Sequence, residues 1–180
     1  MVRAGLAVAI VAAIIGLGGC AGDHEISQEQ PAFYLSMAHG GAKVDAAVAA
    51  SMISGYRQNN GLGAVEVDPV LMRAAEAQAQ EMAAHNKMDH EVAGPLPKRL
   101  KVAGYDARAA VENISAGYHT LAEAFSGWRD SPPHRANMLN GSVTKLGIAA
   151  YYAPGTKYKV FWALILAAPD TGGAKVAVER

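Results

Sequence analysis

Three side chains carry most of the chemistry that this 180-residue sequence offers: His90 at the end of "NKMDH", Glu112 in "VENI" and His134 in "SPPHR". Two imidazoles and a carboxylate make a suitable donor set for a divalent metal such as zinc, with one position left for water. A carboxylate can equally orient a histidine as a general base. From His90 to Glu112 and from Glu112 to His134 the interval is 22 residues each time, which matches no short metal motif such as "HExxH". Only the fold can bring the three together. The surroundings of His134 support a role. In "SPPHRANMLN" Ser131 reads as a helix N-cap and Pro132 as the first helical residue, with the helix stopping near Asn140 and Gly141. His134 then lies in the first turn, where the positive end of the helix dipole disfavours imidazolium, leaving a neutral ring able to bind metal or accept a proton. Ser131 could serve as a nucleophile beside His134, but an N-cap hydroxyl already has a backbone partner, so it reads as a cap; no "GxSxG" elbow is present.

These residues need elements to position them. Val44, Val48, Met52 and Tyr56 recur at steps of four and predict a helix that ends at Asn59-Asn60-Gly61. A second helix opens on Asp68 as N-cap with Pro69 behind it and buries Leu71, Ala75, Ala79 and Met82. The loop "KMDHEVAGPLP" carries His90 into a short helix, "KRLKVA", closed by Gly104. "VENISAGY" reads as a strand, and "TLAEAFSGWRD" opens with a capping box formed by Thr120 and Glu123. "TKLGIAAYY" and "KYKVFWALILAA" flank Pro154-Gly155 as a hairpin-like pair. Residues 160–168 are apolar throughout, so both faces of that strand must be covered, and a sheet between helical layers meets the demand. Trp128 and Trp162 fall inside apolar stripes and read as core anchors.

The N-terminus is of another kind. Arg3 precedes "AGLAVAIVAAIIGLGG", 16 uncharged residues before Cys20, a stretch shorter than the roughly 20 residues a spanning helix needs. It reads as a targeting segment that is removed. Residues 20–42 read as a tether and 169–180 as a loose tail. With 16 basic and 16 acidic side chains and no dense Lys/Arg run, nucleic-acid binding is not expected. A single cysteine excludes an intramolecular disulfide.

Two resemblances extend this reading. "LGGC" (Leu17 to Cys20) resembles the lipobox of bacterial lipoprotein precursors, which implies cleavage after residue 19, lipidation of Cys20 and a mature chain held at a membrane by acyl chains. The ordered series "DPVLMRAAEAQAQEMAAHNKMDH", "VENISAGY", "AFSGWRDSPPHRANMLN", "KLGIAAYY" and "VFWALIL" resembles the bacterial branch of the CAP superfamily, the SCP-like extracellular domains, over residues 43–168. That resemblance implies an α+β fold, a three-layer α-β-α sandwich with a small antiparallel sheet, and a cleft lined by a His-Glu-Glu-His set. His90 matches the first histidine, Glu112 the glutamate of the family's "GEN" segment, and His134 the second histidine. The other glutamate's position falls at Ser131, beside Asp130, while Val111 and Pro133 stand where relatives carry glycine. The implied function is an extracytoplasmic lipoprotein whose cleft (His90, Glu112, Ser131, His134) binds a lipid, peptide or cell-envelope ligand. The alternative is a metal-dependent hydrolase, with His90 and His134 as metal ligands and Glu112 as base. Ala21 after the cysteine suits outer-membrane sorting in an organism with two membranes.

Overall fold

In the computed structural model, residues 30–171 are described; the expected signal segment 1–19, Cys20, the first part of the expected tether and nearly all of the expected 169–180 tail lie outside the described residues. The elements in chain order are α1 (Ala46–Gln58), β1 (Glu66–Val67), α2 (Pro69–Ala84), α3 (Leu96–Val102), β2 (Ala107–Ala116), α4 (Leu121–Asp130), α5 (Pro132–Met138), β3 (Lys145–Tyr152) and β4 (Val160–Pro169).

Helix starts follow from side chains that satisfy the first, otherwise unpaired N–H groups. Asp45 accepts from Ala47 and Val48 to open α1, and Asp68 accepts from Val70 and Leu71 to open α2. Thr120 and Glu123 form the reciprocal capping box of α4. The start of α5 differs from the expectation: the Ser131 hydroxyl makes no capping hydrogen bond. A capping side chain normally accepts from the second or third helical N–H, and Pro133 has removed the second. Ser131 instead links two helices through its backbone, donating to Gly127 O and accepting from Arg135 N–H.

The sheet runs β1-β3-β4-β2, with β4 antiparallel to both β2 and β3. It is mixed rather than purely antiparallel, because the two-residue β1 pairs parallel with Lys145 and Leu146 of β3. Central strand β4 is buried from Val160 to Ala168, as its unbroken apolar run requires. Alternate side chains enter opposite layers. Val160, Trp162, Leu164 and Leu166 join Ile53 of α1, Leu121 and Trp128 of α4 and Met138 of α5. Phe161, Ala163, Ile165 and Ala167 join Leu71 and Met82 of α2 and Leu100 of α3. Trp128 and Trp162 meet edge to face at 6.5 Å in the first of these cores.

The predicted stripe of α2 is the buried one: Leu71, Ala75, Ala79 and Met82 are all fully enclosed. In α1 the buried face is rotated from the predicted one. Ala49, Ala50, Ile53, Ser54 and Arg57 point inward, while Val44, Val48, Met52 and Tyr56 form a half-buried flank. Small side chains allow the closer approach, and Arg57 is tolerated inside because four backbone carbonyls, of Gly63, Met138, Asn140 and Val143, accept from its guanidinium at 2.8–3.2 Å. The last part of the segment expected to be a tether is seated on the domain, with Met37 buried and its N–H bonded to His119 O.

Candidate functional site at the edge of strand β2

Strand β2 is an edge of the sheet, and the dipeptide Glu112-Asn113 lies where the two helical layers approach that edge. Neighbouring residues of a strand project to opposite faces, and these two use the alternation to clamp one layer each. On the α2/α3 side, Glu112 Oε2 lies 2.9 Å from His90 Nδ1, and Glu112 Oε1 accepts from Arg99 Nη2 at 2.8 Å. On the other side, Asn113 Nδ2 donates to His134 O at 3.0 Å. Asn137, one turn further along α5, donates to both Glu112 O and Asn113 Oδ1.

The loop between α2 and α3 that carries His90 is itself held by side chains. Gln78, fully buried on α2, donates to Asp89 O and His90 O. Arg99 on α3 donates to Gly94 O and, through Nη2, also to His90 O. The imidazole of His90 is therefore fixed at both its backbone and its Nδ1, while its side chain remains 53% exposed.

The histidines titrate in opposite directions. The hydrogen bond to Glu112 raises His90 above the ordinary histidine range, against a smaller opposing effect of burial. Burial, followed by the charge of His90, lowers His134. That lowering agrees with the neutral His134 anticipated from its place in the first turn of α5, although burial is the larger cause.

The structure thus brings His90, Glu112 and His134 to one edge. Ser131 lies at the α4–α5 junction, and its hydroxyl makes no hydrogen bond to any of the three; Asp130 turns outward to Arg129. As a metal centre the set does not fit. Both carboxylate oxygens of Glu112 are engaged, one of them by a cation, and among the described residues no group of three or more His, Cys, Asp and Glu is arranged to hold an ion. A zinc site that keeps a position for water takes three protein ligands. His39, His85 and His119 lie apart from the site, and His85 is occupied by Glu81 on its own helix.

The sequence alone does not single out Arg99, Gln78 or Asn137. Arg99 sits in "KRLKVA" among other basic residues, and nothing local separates a buried arginine from a solvated one. Asn137 had a better signal, since "HRANML" puts it one turn after His134, on the same side of a helix.

Comparison with known proteins agrees with this architecture. The model of the CAP family, described as the cysteine-rich secretory protein family, matches residues 50–166. Two uncharacterised Bacillus subtilis proteins, YkwD and the membrane protein YlbC, are 34% and 32% identical over 94 residues. Those residues are 51% of this chain but only 37% and 27% of the two relatives, so the chain spans well under half their length. Among solved structures, an extracellular SCP-domain protein of Bacillus anthracis aligns with a TM-score of 0.59 at 25% identity, over 67% of this chain and 39% of that one. An outer surface protein of Borrelia burgdorferi aligns with the same score at 21% identity, over 72% of this chain and 99% of that one, a likeness of fold alone. This chain belongs to the CAP family of SCP-like domains.

Proposed function

We propose that the protein is exported, is tethered to a membrane through lipidated Cys20, and binds a cell-envelope ligand at the β2 edge with His90 and His134 as the recognising groups. The observation that carries the binding reading is the double engagement of Glu112. A carboxylate held by Arg99 and His90 is a positioning group, and what it positions is an imidazole whose Nε2 is left for a ligand. His134 adds a second ring of opposite titration behaviour. Around pH 6.5 such a pair offers one ring that favours the charged form and one that favours the neutral form, suited to an oxygen-rich group of a lipid, peptide or wall fragment.

Export is supported by the targeting segment and by the extracellular description of the Bacillus anthracis structural relative. Among the described residues no helix is long and apolar enough to cross a membrane. Metabolic labelling with a fatty acid tests the tether: wild type incorporates it and Cys20→Ala does not. Equal labelling of the two would refute the tether. For the cleft, the imidazole resonances of the purified chain are followed while envelope lipid extract or muramidase-digested wall is added. The reading expects both His90 and His134 to shift with one of the two mixtures. Failure of both mixtures to move either ring contradicts it.

A further inference from the structure

The sheet has a second edge, on the far side from Glu112 and its partners. Strand β1 covers β3 only at Lys145 and Leu146, so among the described residues Ile148–Tyr152 has no neighbouring strand on that side. The direction of its backbone groups follows from the bonds around it. Leu146 O accepts from Asp68 N–H, and Ile148 N–H is directed at Met72 Sδ, both away from β4. Ala153 N–H, in the opposite phase, pairs with Lys159 O beyond β4. Even-numbered residues of β3 therefore direct their main-chain groups outward. Those left over are Ile148 C=O, the N–H and C=O of Ala150, and Tyr152 N–H.

This edge forms the floor of a groove of about 440 Å³. One wall is α2, with Met72, Arg73 and Glu76; the other is the segment 39–44, with Lys43 and Val44. Lys43 and Arg73 are exposed and have no ion-pair partner among the described residues, and Glu76 is the only acid in the lining. Open strand edges are usually blunted by lysine, proline or a bulge. "IAAYY" has none of these.

We propose that this groove receives a short, extended, acidic segment of a partner protein, which adds to β3 as a fifth strand and sets its carboxylates against Lys43 and Arg73. Strand addition supplies main-chain hydrogen bonds for affinity and side-chain pockets for alternate residues. The free edge is about 13 Å long at about 3.3 Å per residue, which suits four or five residues. The charge of the walls selects acidic over basic sequences.

The test uses the full chain, labelled with ¹⁵N, and three synthetic probes: acetyl-Glu-Val-Glu-Val-Glu-amide, its lysine counterpart, and a fully N-methylated acidic version. The acidic probe is expected to shift the amides of Ala150 and Tyr152 and slow exchange at Ala150, leaving His90 unmoved. The N-methylated probe, unable to donate main-chain bonds, should not bind. The lysine probe, and the acidic probe offered to Lys43→Glu/Arg73→Glu, should bind about tenfold more weakly, the combined worth of two exposed charge pairs. Equal affinity for acidic and basic probes, retained binding of the N-methylated one, or no binding of any probe at millimolar concentration would each overturn the proposal. So would protection of Ala150 that depends on protein concentration without a probe, which would make a second copy the occupant.

Discussion

Replacing Arg99 by methionine isolates the interaction on which the site depends. The side chains of Arg99 and Glu112 are 9% and 3% exposed, so the substitution leaves an enclosed carboxylate with only the half-exposed His90 beside it. Removing one member of a buried ion pair typically costs about 3–5 kcal/mol, most of it from the charge left behind. His90 can still offset part of that charge, and methionine preserves much of the packing, which places the expected loss near the lower bound, about 3 kcal/mol. For a chain of this size that lowers the melting temperature by about 10 °C. Urea unfolding followed through the buried Trp128 and Trp162 reads the change, with an unaltered slope showing that the same surface is exposed in both proteins. The double substitution Arg99→Met/Glu112→Leu removes both charges and should recover most of the loss, because the uncompensated carboxylate is its source. Stability of Arg99→Met within about 0.5 kcal/mol of wild type would refute the reasoning, as would a double variant at least as unstable as the single one.

Other consequences can be measured alongside. At Gly147 a Cβ would collide with the main-chain carbonyl of Leu71 where α2 crosses β3, so Gly147→Ala should destabilise by about 3 kcal/mol or more in urea unfolding. Thr120→Ala breaks the capping box of α4 and should cost about 1 kcal/mol by the same assay. Imidazole titration by NMR should place His90 above 6.5 and His134 below it. The stabilisation from His90 is complete below the unfolded value of 6.5 and fades as pH rises through the folded one; that from His134 is present above 6.5 and is lost as pH falls through its folded value. Glu112→Gln should bring His90 back toward 6.5, and an unmoved titration would contradict the assignment of cause.

Much of the frame was legible because it rests on local chemistry. Asp68-Pro69, the Thr120/Glu123 box and the unbroken apolar run of β4 each announce an element through residues that act within one turn or along one strand. The strand β1 was not legible, since two residues have no period, and its pairing with Lys145 and Leu146 depends on residues almost eighty positions away. The inward face of α1 was misplaced because alanine is a weak signal and Arg57 an opposing one; what keeps Arg57 inside is four carbonyls from distant loops. In the site, His90, Glu112 and His134 stood out by type and by their order along the chain. The role of "EN" as one residue for each layer appears only once β2 is known to be an edge. Ser131 shows the reverse case, where a strong local cap signal goes unused: Pro133 removes one of the two donors a cap could satisfy, and the hydroxyl does not take up the other.

The central claim is that the β2 edge is a ligand-binding site whose carboxylate is committed to Arg99 and His90. The most direct measurement is native mass spectrometry, with zinc analysis, of the intact protein purified under non-denaturing conditions. This account predicts a non-covalently bound envelope molecule, lost from His90→Ala/His134→Ala, and no stoichiometric zinc. One zinc ion per chain, lost in that same double variant, would contradict it.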